Sequence, residues 1–390
     1  MKQIDRMATG QQVRFVHTSD WQLGMTRHYL APEAQARFTG DRIEAIRRIG
    51  TLANQLVAEF IVVAGDVFEH ANLPRAEVVR ALGAMGETGV PIYLLPGNHD
   101  PLDASSIYRS EHFLQARPAT VQVLDRTGVF EVRPGVQLVA APWFGKHPDA
   151  DPVAGALDGL SADGTLRIVV GHGMLTGVSY SGAATGAEIA REPLDAALAA
   201  GVIHYVALGD RHIRWPADGQ GAVQYSGSHE STSFHETGRG QVLEVELGPT
   251  GLGVTAHEVG RWQHLLVDRD LDNDADLDEL DAYLSGLAHK ECTIVKHSLR
   301  GTLNLAQSAR LDEILARHGE VFASLAGWAR HTDLVVVPDQ AEFDELPASG
   351  FVASAISQLQ DESAAGDQDA AGALKLLYRL VQPNVSGGAR

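Results

Sequence analysis

Up to residue 120, short apolar runs alternate with amphipathic stretches. VRFVHTSD (13–20) predicts a buried strand that runs into a polar loop. DRIEAIRRIGTLANQLVAE (41–59) has apolar residues at helical spacing and predicts a helix, and FIVVAGD (60–66) predicts a second strand-to-loop transition. RAEVVRALGAMGETG (75–89) reads as a helix ended by glycine, followed by the strand of PIYLLPGNHD (91–100). Strands alternating with helices predict an α/β layered domain.

Beyond residue 120 the runs shorten. VQVLD, VFEV and VQLVAAPWF are separated by Gly and Pro turns, and LRIVVGHG, IHYVALGDRH, VQYSGS and GQVLEVELG follow. They predict a largely antiparallel second sheet packed on the first, in a two-sheet sandwich with outer helices. From Arg261 the pattern becomes an acidic helix in DNDADLDELDAYLSGL, a strand in ECTIVKHSLRGTL, a helix in ARLDEILARHGEVFASL and a strand in DLVVVP. That is a small α+β domain of about 80 residues. FVASAISQLQDES and AAGALKLLYRLVQ predict two amphipathic tail helices. The expected segments are an N-terminus over 1–12, the main domain over 13–260, the α+β domain over 261–345 and the helical tail over 346–390.

Composition narrows the function. The 390 residues are 44% hydrophobic and 21% charged, as in a packed soluble protein. No apolar run reaches the roughly 18 residues of a membrane span, and MKQIDRMATGQQ lacks the apolar segment of a secretory signal. A cytoplasmic location is the expectation. The single cysteine, Cys292, allows neither an internal disulfide nor a cysteine-based zinc site. Any metal must be held by His, Asp, Asn, Gln or Glu. Lys and Arg number 31 against 50 Asp and Glu, a net charge of -19. This argues against coating DNA by charge alone, yet bound divalent cations would reverse the field in one cleft.

The candidate chemistry lies at strand ends. HTSDWQLG, VVAGDVFEH, LLPGNHDP, VVGHGM and ALGDRH each end an apolar run with glycine and metal-capable residues. In a strand-loop fold the C-terminal strand ends converge on one edge. Asp20, Asp66, Asn98, His99, His172 and His212 would meet there. One such segment is ordinarily a turn; five in this order point to a metal site. Two cations about 3.5–4 Å apart suit phosphoester hydrolysis, because they clamp the phosphate oxygens and acidify a water.

The order D-x-[H/Q], GD, GNHD, GH and G-x-x-H resembles the calcineurin-like metallophosphoesterases. The flanks HTSDWQLG, GDVFEHANLP, PGNHDP and YSGS resemble the SbcD-type DNA repair nucleases in particular. The resemblance covers residues 13–235, and the domain after Arg261 resembles that family's capping domain in position and size. It implies that Asp66 bridges two metals, that Asp20, Gln22 and His212 complete one site, and that Asn98, His172 and Asp210 complete the other. It also implies that His99 faces the substrate, stabilising the transition state or protonating the leaving oxygen. Asp100 would orient His99 or shape its loop. The family's first motif usually reads DxH and its last GHxH; here they read Asp20-Trp21-Gln22 and Gly209-Asp210-Arg211-His212. This ligand set is harder and more negative, which favours manganese, with magnesium or ferrous iron as alternatives.

Asp100, Arg211 and His229 are candidate substrate contacts, and Trp21 and Trp143 candidate cleft walls. Glu69 and His70 are read as capping the following helix or contacting the substrate backbone, and His17 as a packed or hydrogen-bonded histidine. The resemblance further implies DNA as substrate, a homodimer, no membrane, and docking of the tail helices on the coiled coil of an SbcC-type SMC-like ATPase. Two alternatives stand beside the nuclease reading. One is a small-molecule phosphodiesterase or phosphatase; the other is a pseudo-nuclease that binds DNA ends or scaffolds the ATPase.

Overall fold

The computed structural model of the chain describes residues 12–178, 188–249, 251–336, 350–365, 367, 369–370 and 373–374. The chain divides into two compact units, Met1–His264 and Leu265–Arg390. Among the described residues no helix is long and apolar enough to cross a membrane.

The first unit opens with β1 (Val13–Thr18), α1 (Pro32–Gln55), β2 (Phe60–Val63), α2 (Arg75–Glu87), β3 (Ile92–Leu94), α3 (Glu111–Ala116) and β4 (Val121–Val123). Each helix carries the chain back across the sheet, so β1 to β4 pair in parallel. Helix α1 starts at Pro32, nine residues ahead of the predicted Asp41, with proline in its first turn.

The chain continues through β5 (Gly128–Arg133), β6 (Val136–Ala141), α4 (Pro152–Leu157), β7 (Leu166–His172), the short pair β8 (Met174–Leu175) and β9 (Glu188–Ile189), α5 (Arg191–Ala199), β10 (Tyr205–Gly209) and β11 (Val223–Tyr225). The second sheet runs β11-β10-β7-β6-β5. It is mostly parallel, with only β5 and β6 antiparallel, which corrects the antiparallel expectation. Every residue of β7 and β10 is buried, as in strands covered on both faces. The short helices α4 and α5 are the crossovers that the glycine-rich turns concealed.

GQVLEVELG forms β12 (Gln241–Gly248), which leaves the second sheet with β13 (Gly251–Glu258) and joins the first, antiparallel to β1. The first sheet is therefore β13-β12-β1-β2-β3-β4. Side chains alternate across β2. Phe60 and Val62 pack between the sheets with Leu138, Ile168 and Val170, while Ile61 and Val63 pack outward beneath Ile46 and Ile49 of α1 and Leu82 of α2. On the other outer face Val169 and Val206 meet Leu194 of α5.

The second unit forms a sheet of β14 (Gln263–Asp270), β15 (Thr293–Leu303), β16 (Ser324–Gly327) and β17 (Asp333–Val336), with α6 (Asp274–Gly286) and α7 (Leu305–Gly319). Both helices begin with complete capping boxes, at Asn273 and Asn304. Helix α7 ends at Gly319, so the predicted helical continuation to Leu325 is instead a turn that leads into β16 at Ser324. Helix α8 (Phe351–Ala364) follows, its Ile356 buried with Leu305 and Ala309 and its Phe351 87% exposed. Most of the second predicted tail helix lies outside the described residues.

Candidate metal centre

Five strands of the first unit end at one edge of the sandwich. Asp20 and Gln22 follow β1, Asp66 follows β2, Asn98 and His99 follow β3, His172 ends β7, and Asp210 and His212 follow β10. The sheets are tied there by His172 Nδ1, which donates to the Ala64 carbonyl at 2.8 Å. The Asp210 amide, 3.1 Å from Asp20 Oδ1, makes a second tie.

Close approach explains the glycines. A Cβ at Gly65 would fall on His172 Nδ1, and one at Gly97 on Asp66 Oδ1. The turns are also strained. Among the described residues six non-glycine residues have positive φ, and Asp20, Gln22, Asp66 and Asp210 are four of them. Such conformations cost about 1–3 kcal/mol each and persist where the surroundings over-determine them, typically at ligand sites.

Ligand-capable atoms of Asp20, Asp66 and His172 all lie within 4.8 Å of one another. His172 Nε2 sits 2.8 Å from Asn98 Oδ1, 3.3 Å from Asp66 Oδ1 and 3.8 Å from Asp210 Oδ1. His212 Nε2 lies 3.8 Å from Asp20 Oδ1 and 3.3 Å from Gln22 Nε2. The centre thus has two lobes, one around each histidine, with Asp20 and Asp66 between them.

The donor chemistry fits divalent cations. Both imidazoles are pinned through Nδ1, His172 by the Ala64 carbonyl and His212 by Thr232 Oγ1 at 2.8 Å and Glu236 Oε1 at 3.3 Å. In the neutral form each then turns the lone pair of Nε2 inward; that of His172 meets oxygens that are themselves acceptors, and that of His212 meets the Gln22 amide nitrogen, with Asp20 beyond it. Gln22 Oε1 is buried with no hydrogen-bond partner among the described residues. A pocket of converging acceptors asks for a cation.

Protonation answers the same demand. Burial opposes charge on every group here, but Asp66 and Asp210 hold His172 well above its ordinary pKa. Glu236 and Asp20 lift His212 to about 9. Burial would raise Asp66 too, yet His172 and His99 hold it at about 2. For Asp20 burial dominates and the pKa rises, against the pull of His212 and His172. His99 is the most open of these groups, its side chain 37% exposed. Its Nδ1 donates to the Glu69 carbonyl at 3.0 Å, and its Nε2 lies 3.9 Å from Asp66 Oδ2. Burial disfavours its charge, but Asp66 and the Glu69 carbonyl together raise its pKa.

Several expected contacts lie elsewhere. Asp100 is wholly buried and accepts from the Gly97 and Phe68 amides and from Tyr108 Oη at 2.8, 3.0 and 2.6 Å. It shapes the loop and is no substrate contact. Burial and Asp66 raise its pKa to about 6. His229 is also fully buried, donating to the Arg42 carbonyl at 3.0 Å, and is not placed to touch a substrate. Trp21 and Trp143 are buried braces and not cleft walls: Trp143 Nε1 donates to the His172 carbonyl at 2.7 Å, and Trp21 Nε1 to Thr18 Oγ1 at 2.9 Å. His17 is packed between Tyr205 Oη and the Leu208 carbonyl. Arg211 is half-buried on the loop between Asp210 and His212, and His70 is exposed.

Sequence reading missed Glu236 and Thr232. Glu236 is buried and also accepts from the Thr232 amide at 2.8 Å and from Ser228 Oγ at 3.2 Å. Nothing in SHESTSFHETG separates this carboxylate from a solvated loop residue.

A family model described as calcineurin-like phosphoesterase matches residues 13–214. The chain is 27% identical over 271 residues to the SbcD component of the SbcCD nuclease of Escherichia coli (strain K12), covering 60% of this chain and 64% of that protein. Its namesake from Bacillus subtilis (strain 168) is 33% identical over 98 residues, 24% of each chain. That of Rhodobacter capsulatus is 38% identical over 96 residues, 23% of this chain and 22% of that protein. The chain therefore spans between about a quarter and just under two thirds of the length of these relatives.

Proposed function

Since the chain belongs to the calcineurin-like phosphoesterase family, we propose that it is a metal-dependent DNA nuclease, the cytoplasmic, homodimeric partner of an SMC-like coiled-coil ATPase. The observation that carries the hydrolase reading is the pair of inward-turned imidazoles, His172 and His212, facing Asp20, Asp66, Asn98 and Asp210. DNA as substrate and the ATPase as partner rest on the likeness to the SbcD components of SbcCD nucleases.

Asp66 would hold both cations, with Asp20, Gln22 and His212 on one side and Asn98, His172 and Asp210 on the other. Bound there, two divalent ions supply charge neutralisation at the phosphate and an acidified water. The chain's own contribution is positional. The Ala64 carbonyl and the Glu236 carboxylate fix the tautomer and aim of the two imidazoles. His99, with Nδ1 committed to the Glu69 carbonyl, would donate from Nε2 to the departing oxygen in its doubly protonated form, which Asp66 and the Glu69 carbonyl favour. Replacing two neutral imidazoles by an amide and a carboxylate at Gln22 and Asp210 turns the site toward manganese.

Metal analysis of the purified chain, with hydrolysis of bis(p-nitrophenyl) phosphate and of single- and double-stranded DNA, tests this. Manganese should support turnover. Gln22→His with Asp210→His should shift the preferred ion toward zinc. A chain that binds no divalent ion and turns over none of these substrates overturns the reading.

A further inference from the structure

A cavity of about 240 Å³ opens beside the metal centre, with His212 in its wall. Arg214 and Arg239 line it from different segments, the first on the loop after β10 and the second just ahead of β12. We propose that this cavity is a subsite for a second phosphate of the substrate chain, next to the phosphate that is cleaved. The proposal rests on the nuclease reading and adds to it where the neighbouring backbone would be held.

The donors carry the argument. The Nε atoms of both arginines are buried and have no hydrogen-bond partner among the described residues. Leaving one such donor unsatisfied costs about 1–3 kcal/mol, more when it is charged, and both belong to side chains that line this one cavity. The nearby carboxylates do not satisfy them. Glu236 is engaged by Thr232, Ser228 and His212. Glu258 reaches Arg239 Nη1 at 3.5 Å, but its side chain is 61% exposed, so the pair is screened and weak.

Arg214 is also closely packed. A Cβ at Gly219 would strike Arg214 Nη2, and one at Gly227 would press on the His212 carbonyl and the Arg214 amide. A pre-set guanidinium recognises an oxyanion with little further ordering. On a chain of net charge -19, two arginines sharing one cavity make a local exception to the global field. Beside a phosphoesterase centre, the oxyanion it suits is a phosphodiester.

Anisotropy of a labelled single-stranded oligonucleotide with the full chain in EDTA reads binding without turnover. Arg214→Gln with Arg239→Gln should weaken binding about tenfold at low salt and lower the slope of log Kd against log salt by about 1–2. With manganese, KM for the oligonucleotide should rise about tenfold more than KM for bis(p-nitrophenyl) phosphate, which has a single phosphate. Arg214→Lys with Arg239→Lys should keep the slope and lose part of the affinity. An unchanged slope, or equal losses for both substrates, overturns the subsite and leaves water as the acceptor. An intact chain that cleaves the small diester but binds no oligonucleotide overturns the DNA reading, and the subsite with it. Should the variants not fold, inorganic phosphate at matched ionic strength must displace the oligonucleotide from the intact chain; failure to do so also overturns the subsite.

Discussion

Glu236 shows what one buried carboxylate does for a metal centre. It touches no candidate metal-binding atom, yet with Thr232 it fixes Nδ1 of His212. Glu236→Gln keeps the shape and removes the charge, so Nδ1 loses its strongest acceptor. Manganese affinity should fall about 10–100-fold, the usual cost of losing such a partner. Titration calorimetry on the folded variant reads this, and an unaltered affinity would deny Glu236 a positioning role. Its effect depends on burial and on who stands opposite, which is why its sequence neighbourhood gave no sign of it. Asp66 and His172 were legible for the opposite reason, because each sits where a strand of apolar residues stops at glycine.

Two glycines of α1 separate propensity from packing. Gly40 has open space where a Cβ would be, whereas a Cβ at Gly50 would lie 2.7 Å from Thr88 Cβ and Cγ2 and 2.8 Å from its Cα. Both stand inside the helix, where alanine is favoured over glycine by about 1 kcal/mol. Gly40→Ala should therefore stabilise the chain by up to about 1 kcal/mol. Gly50→Ala should destabilise it, because overpacking typically costs about 1–3 kcal/mol and exceeds the propensity gain. Urea midpoints for the two variants, moving in opposite directions, check this. The same contest explains the second sheet. Turn residues around LRIVVGH and YVALG suggested hairpins, but strands buried on both faces need helices across them, and α4 and α5 supply the crossovers.

For the whole molecule the central fact is charge. A chain with 50 acidic against 31 basic side chains is not built to hold DNA broadly, so on the nuclease reading binding would come from the metal centre, a few arginines and partners. The tail is the proposed partner-facing element, and Phe351 at the head of α8 is already largely exposed. Truncation after residue 345 should abolish co-purification with the ATPase while leaving bis(p-nitrophenyl) phosphate hydrolysis in place. A truncated chain that still co-purifies would remove the docking role. The unit boundary at Leu265 falls inside β14, close to the change of pattern at Arg261.

The sequence by itself determined the strand ends and the residues placed on them: Asp20, Asp66, Asn98, His99, His172 and His212 were readable because local patterning, apolar run then glycine then polar group, is a property of neighbours along the chain. Only the tertiary structure decided which of these meet, that Asp100 and His229 are enclosed, and that Glu236, Arg214 and Arg239 line one cavity with His212. Those outcomes depend on burial and on contacts between residues far apart in sequence, where the cost of an unsatisfied donor or an unpaired charge is set by surroundings that no local pattern encodes.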